Sequence, residues 1–175
     1  VMVSANETVS EEKIMAFVEK KGEWILKQIR YFERYQQPEK AEKEYVSGES
    51  FKYLGRQYRL KVYEAEQDHI RYYRGRIELY TTKPKDTKQK KRLIDTWYKE
   101  RSQLKFDESL NRIYPVMQKY GVFKPDLKIR QMKTRWGSCL KKENAIVLNS
   151  DLIKAPLFCI EYVVLHELIH FVRRN

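Results

Sequence analysis

Two histidines four residues apart, with a glutamate directly after the first, mark the place in this chain where chemistry can be done: His166-Glu167-Leu168-Ile169-His170. Residues at this spacing share one helix face, roughly 5 to 6 Å apart, so two imidazoles can close on one small cation. The pattern H-E-x-x-H supplies two metal ligands and one carboxylate base to a zinc-bound water. Zinc held by neutral imidazoles keeps most of its charge and lowers the pKa of its water to about 7. Glu167 would then hold and deprotonate that water and pass the proton to a leaving group. The chemistry expected is hydrolysis, with Zn2+ as cofactor, His166 and His170 as ligands and Glu167 as the catalytic base.

The sequence has only three histidines, and two of them stand in this frame. Ile160, Val163, Val164, Leu165, Leu168 and Ile169 make the flanks apolar, so the frame belongs to a mostly buried helix, and a carboxylate there needs a partner or a metal. Catalytic zinc takes three protein ligands and a water. A common spacing puts the third histidine six residues after the second, and the sequence stops at Asn175, five after His170. Truncation is therefore expected, and the opening Val1-Met2-Val3-Ser4-Ala5 reads as the end of a strand already under way. His69 stands in no motif and reads as a surface residue. A distant carboxylate and Cys139 remain other routes to a third ligand.

A second stretch, Arg135-Trp136-Gly137-Ser138-Cys139, reads as substrate-binding. Glycine within a strand lets another group approach closely, and a tryptophan beside it walls a site. An edge strand next to a zinc helix can take an extended peptide by strand addition. Arg135, Trp136, Gly137 and Ser138 are the residues assigned this role. Neither Ser138 nor Cys139 has a visible base partner, which argues against a nucleophile.

The elements that position these stretches follow from periodicity. Ser10 to about Tyr35 reads as one amphipathic helix, capped by Ser10 and started by Glu11 and Glu12, its apolar stripe expected in the core. Gln36 to Ser47, broken by Pro38, reads as a linker. From Ser50 to Thr82 the period is two, with Gly55-Arg56 and Arg74-Gly75 as turns, which predicts two hairpins. Thr87 to Tyr120 is again helical, with Leu93, Ile94, Trp97, Leu104, Leu110, Ile113, Val116 and Met117 on the apolar side, Pro115 kinking or dividing it and Gly121 ending it. Strands follow at Asp126 to Met132, Trp136 to Leu140 and Ala145 to Leu148, and Pro156 opens the histidine helix. The fold class is α+β, with an N-terminal helix and β-hairpin region at 1–82 and a catalytic core at 83–175.

With 175 residues, 42% of them hydrophobic, the chain can bury one core of useful size. Cys139 and Cys159 form no disulfide framework, which favours a reducing, cytoplasmic setting. No apolar run is long enough to span a membrane, and none is expected as a partner. The net charge of +12 favours polyanions. Much of it falls between Lys83 and Lys105, a solvated helix face or a surface for nucleotide or nucleic-acid phosphates. Tyrosines and arginines interleaved in the hairpins could stack on bases, although tyrosine is also an ordinary strand residue.

Taken together, Ser10-Glu11-Glu12-Lys13-Ile14, Trp24-Ile25-Leu26, Tyr53-Leu54-Gly55-Arg56-Gln57-Tyr58, Lys133 to Cys139 and His166 to His170 resemble the YgjP-like family of zinc metallopeptidases, itself similar to SprT-like proteases. The resemblance covers nearly the whole chain. It implies a zincin-like core, two helices packed on a small antiparallel sheet, with His166 and His170 as ligands and Glu167 as base. It also implies a further histidine past Asn175 as third ligand. A peptide or protein is the substrate implied first. Hydrolysis of nucleotide phosphoanhydrides, described for some members, is the alternative, and a nucleic-acid-associated protease or binding module is the third reading.

Overall fold

The longest element starts where Asp86 stops being strand-like: its carboxylate accepts the Gln89 N–H at 3.0 Å, the bond of an N-cap. In the computed structural model, which describes residues 9–35 and 43–172, helix α3 then runs unbroken over Thr87–Gln118. Pro115 lies inside it without dividing it. Gly121, at φ 75°, ends the segment and donates its N–H to the Gln118 carbonyl.

The buried side of α3 changes along its length. Lys90, Ile94 and Trp97 are buried in the first half, and Ser102, Phe106, Ser109, Leu110 and Met117 in the second. At 3.6 residues per turn the centres of these two faces differ by roughly 150°. Leu104 stays in phase with Trp97 and Val116 falls outside the second face, so both are exposed, against the single stripe that periodicity predicts. The helix serves two layers. Near its start Trp97 packs on Tyr53 at 5.1 Å and the Tyr98 hydroxyl donates to the Lys52 carbonyl; farther along, Arg112 pairs with Glu161 of the last helix at 2.8 Å.

The first layer is a four-stranded sheet. Strands β1 (Ser50–Tyr53) and β2 (Arg56–Glu64) form one hairpin, β3 (His69–Tyr73) and β4 (Arg76–Thr81) the other. The turns are Leu54-Gly55 and Arg74-Gly75, both residues of each at positive φ, the tight geometry that matches strand twist. The hairpins expected from period two are present. Their joining is not local: β2 runs parallel to β4, giving the order β1-β2-β4-β3. Leu60, Ile77 and Leu79 fill the inner face without solvent exposure.

The second layer corrects the expected antiparallel sheet. Strands β5 (Asp126–Arg130), β6 (Gly137–Leu140) and β7 (Ala145–Asn149) form a mixed sheet of order β5-β7-β6, with β5 parallel and β6 antiparallel to β7. The cause is position. All five residues of β7 are buried, so it takes the centre. The β6–β7 hairpin then leaves β5 to pair on the far side. Pro156 directly precedes α4 (Leu157–Val172), where Ile160, Val164 and Leu168 are fully buried. The architecture is α+β with small mixed sheets.

Contacts gather the chain into two units, Val1–Lys43 and Glu44–Asn175, so the hairpins share a unit with the histidine helix. In the first, the expected single helix is two: α1 (Glu11–Lys20) and α2 (Gly22–Tyr35), parted at Lys21 next to a glycine that weakens a helix by about 1 kcal/mol. Ser10 stands at the cap position, but its side chain makes no cap bond. Phe17 and Trp24 of the apolar stripe are exposed, so that part of it is not core. The expected opening strand and most of the linker lie outside the described residues.

Candidate metal centre

Helix α4 turns His166 and His170 to one side, with their Nε2 atoms 3.3 Å apart and their rings nearly perpendicular, at 86°. This is the separation a shared ion requires. Two nitrogens each about 2.0 to 2.1 Å from one zinc, at a tetrahedral angle, stand about 3.3 to 3.4 Å apart. With both rings protonated on Nδ1, the two Nε2 lone pairs converge on a point suited to a cation. Two donors of the right kind and spacing therefore fit zinc. Among the described residues, no third histidine, cysteine, aspartate or glutamate joins them in a metal-binding cluster. Cys139 lines the same cavity without completing such a cluster, and His69 sits on β3, stacked on Tyr80.

Glu167 lines the same cavity as the two histidines and is only 6% exposed. Its carboxylate lies against Gly137 of β6. A Cβ on that glycine would stand 2.6 Å from Oε1 and 2.7 Å from Cγ. Glycine in the strand is thus required by the glutamate of the histidine motif. Burial raises the Glu167 pKa above the usual carboxylate range, while His166, His170, Arg135 and a hydrogen bond from the Cys139 N–H pull it down. The result is a carboxylate held in place and more basic than one in water.

The other residues of the second stretch meet at the same place. A cavity of about 770 Å³ opens between the run Thr134–Glu143 and the face of α4 bearing Tyr162, Val163, His166, Glu167 and His170. Arg135, Trp136, Gly137 and Ser138 line it together with the histidines and the glutamate. Trp136 is half exposed. Because β6 is the last strand of its sheet, its outer edge has no strand partner there. The volume falls in the range of small-molecule and peptide sites.

Periodicity and motif did not point to Asn149, which is buried at the end of β7. Its side-chain amide donates to the Met132 and Arg135 carbonyls at 2.8 and 2.9 Å, and its backbone N–H to the Trp136 carbonyl at 2.9 Å. It pins the loop that delivers Arg135 and Trp136. The one local signal was an Asn that could also cap the turn Ser150–Lys154, where Oδ1 accepts the Asp151 N–H. No motif marks Tyr162 either; its ring stands 6.2 Å from that of His166.

The Lys83 to Lys105 stretch lies mostly along α3. Lys90 is buried, Lys105 pairs with Glu108, and none of the stretch lines the cavity beside the histidines. Lys91 and Lys99 instead line a separate cavity of about 650 Å³ with Arg130 and Lys154. Among the described residues no helix is long and apolar enough to cross a membrane.

No curated protein and no solved structure matches the chain. The model of one protein family does, over residues 1–175, and it is described as the YgjP-like metallopeptidase domain. With that match spanning the whole sequence, the chain belongs to the YgjP-like family, whose name is that of a metallopeptidase.

Proposed function

We propose that this chain is a zinc-dependent peptidase with a zincin-like core. The observation that carries the reading is the pair of Nε2 atoms 3.3 Å apart, set in one cavity with a buried glutamate and an open strand edge. When bound, zinc supplies Lewis acidity and brings the pKa of a water molecule to about 7. His166 and His170 would hold the ion through Nε2.

The remaining work falls to the chain itself. The outer edge of β6, where Glu167 already holds the Cys139 N–H, aligns an extended peptide backbone by strand addition through its remaining N–H and C=O groups, with Arg135 and Trp136 at the mouth and Ser138 along the wall. Glu167 accepts a proton from the attacking water on its carboxylate and returns it to the leaving amine. Burial strengthens it as a base for the first step. The Cys139 N–H and the close approach of Gly137 keep the carboxylate aimed. Two free, half-buried thiols, Cys139 and Cys159, suit a reducing cytoplasmic setting.

The test combines metal analysis with turnover of a fluorogenic peptide or casein. Zinc near one per chain is expected, lost in His166→Ala. Glu167→Gln is expected to keep the metal and lose about 10²- to 10⁴-fold in rate. Turnover that survives in Glu167→Gln, or metal content indifferent to His166→Ala, overturns the assignment.

A second reading is favoured by the cations at the same cavity. Arg135, Lys141 and Lys142 line it and could neutralise phosphates, as a nucleotide phosphoanhydride hydrolase would need. His166-dependent release of pyrophosphate or phosphate from nucleoside triphosphates, without peptide cleavage, would replace the first reading by this one.

A further inference from the structure

The four-stranded sheet has an outer face that the peptidase reading does not use. Residues alternate across a strand, and register carries the alternation from one strand to the next. Leu60, Ile77 and Leu79 point to the core, so their neighbours Arg59, Lys61 and Tyr63 of β2, Arg76, Glu78 and Tyr80 of β4, and His69, Arg71 and Tyr73 of β3 share the opposite face.

That face carries a column of rings. Tyr63 and Tyr80 stack with centroids 5.0 Å apart and planes at 21°, and His69 continues the stack on Tyr80 at 4.3 Å and 5°. Cross-strand tyrosine pairs stabilise many sheets. Here the column ends at the two sides of the sheet. β1 pairs only with Arg56–Arg59; beyond it the Ser47–Glu49 segment bonds Leu60 and the Val62 N–H, so no strand lies beside Tyr63, and β3 is the last strand on the other side. Among the described residues, neither Tyr63 nor His69 has a second ring partner.

Cations lie along the face on one side of the column. Arg71 sits over the rings of Tyr73 and Tyr80, at 4.9 and 5.3 Å, while its Nε donates to Glu78 at 2.8 Å. Glu78 is thereby occupied, and Arg59 and Lys61 are exposed and have no ion-pair partner among the described residues. Flat apolar faces next to unneutralised positive charge complement one polymer in particular, a chain of phosphates with unpaired bases. A duplex keeps its bases inside the stack and cannot extend the column.

We propose that the outer face of the β1–β4 sheet binds single-stranded nucleic acid. Bases continue the Tyr63–Tyr80–His69 column at its ends, and phosphates lie along Arg59, Lys61 and Arg76. The site is separate from the histidine cavity, none of whose lining residues it shares.

Fluorescence anisotropy with a labelled oligothymidylate of about 12 nucleotides tests this, using the whole chain at about 50 mM salt. Tyr63→Leu is expected to weaken binding by about 5- to 140-fold, the range for loss of one stacked base. Because that side chain also packs on Tyr80, a second variant removes charge alone. Arg59→Gln with Lys61→Gln should reduce the slope of log K against log salt by about 1.4, the counterion release of two contacts on a single strand. His166→Ala should bind as tightly as the unaltered chain. The proposal is overturned if no binding occurs at low salt, if a duplex binds equally well, or if both variants leave affinity and slope unchanged. Binding of phosphatidylserine vesicles in place of the oligonucleotide would overturn it too, making the face a membrane surface.

Discussion

Gly137→Ala separates the catalytic carboxylate from the metal ligands with one methyl group. The backbone at position 137 is not in the left-handed region, so alanine introduces no conformational strain of its own. Its cost arises from contact. The new Cβ would lie 2.6 Å from Glu167 Oε1, 2.7 Å from Cγ and 2.9 Å from Cδ, while ordinary contact begins near 3.4 Å. Relief therefore requires a shift of about 0.8 Å at the carboxylate. The carboxylate is nearly sealed from solvent, so it cannot swing out freely. Moving β6 instead would disturb its pairing with β7 and the Cys139 N–H bond to Glu167. A displacement of about 1 Å in a catalytic group costs about 10²-fold in rate, and overpacking of this kind costs about 1 to 3 kcal/mol in stability. The atoms nearest the new Cβ all belong to Glu167 and none to the histidines, so the metal ligands stay in place. The expected result is zinc content unchanged, a modest fall in the denaturation midpoint and peptidase kcat down about 100-fold. Wild-type kcat in a folded, zinc-loaded variant would refute the claim that Gly137 is there to seat Glu167.

Two further substitutions probe what holds the site's unit together. Gly55→Ala places a side chain at φ 81° with Pro156 Cγ at 2.7 Å and its Cα at 3.0 Å, so it should lower stability by about 1 to 3 kcal/mol in a urea titration; an unchanged midpoint would show that the β1–β2 turn does not dock against the start of α4. Tyr98→Phe removes the donor to the Lys52 carbonyl and should cost about 1 kcal/mol near neutral pH. The same phenol predicts a pH effect. Burial holds its pKa well above the ordinary 10.0, so above that pH the unfolded chain loses this proton first and wild-type stability falls as pH rises. In thermal melts taken from neutral pH upward, Tyr98→Phe should flatten this alkaline limb, and an unaltered limb would assign the loss to other groups.

What was readable beforehand tracks sequence separation. The histidine pair lies four residues apart on one helix, and the two hairpins turn on adjacent residues, so local periodicity was sufficient for all three. The parallel contacts β2–β4 and β5–β7 join strands that no local pattern links, and β5–β7 makes the expected antiparallel sheet a mixed one. Period failed in a more particular way along α3. A stripe is predicted by assuming one partner surface, and this helix has two, on faces roughly 150° apart. Leu104 fitted the first face at a point where the helix had already turned to the second.

Gly137 shows how a local signal can be correct and still incomplete. A glycine within a strand says that something comes close, but not what does. Its neighbour here is Glu167, thirty residues later in the chain. Each of the two motifs therefore contains the residue that explains the other: the strand needs glycine because the helix presents a glutamate, and the glutamate becomes a held base because the strand has no side chain to expel it. Asn149 completes this coupling from below by fixing the carbonyls of Met132 and Arg135 and accepting no substitute of different shape, since one amide meets two carbonyls and two N–H groups at once. Positioning at this site thus rests on two buried side chains and one strand glycine from three different elements, none of which binds metal through its own side chain in the proposed mechanism.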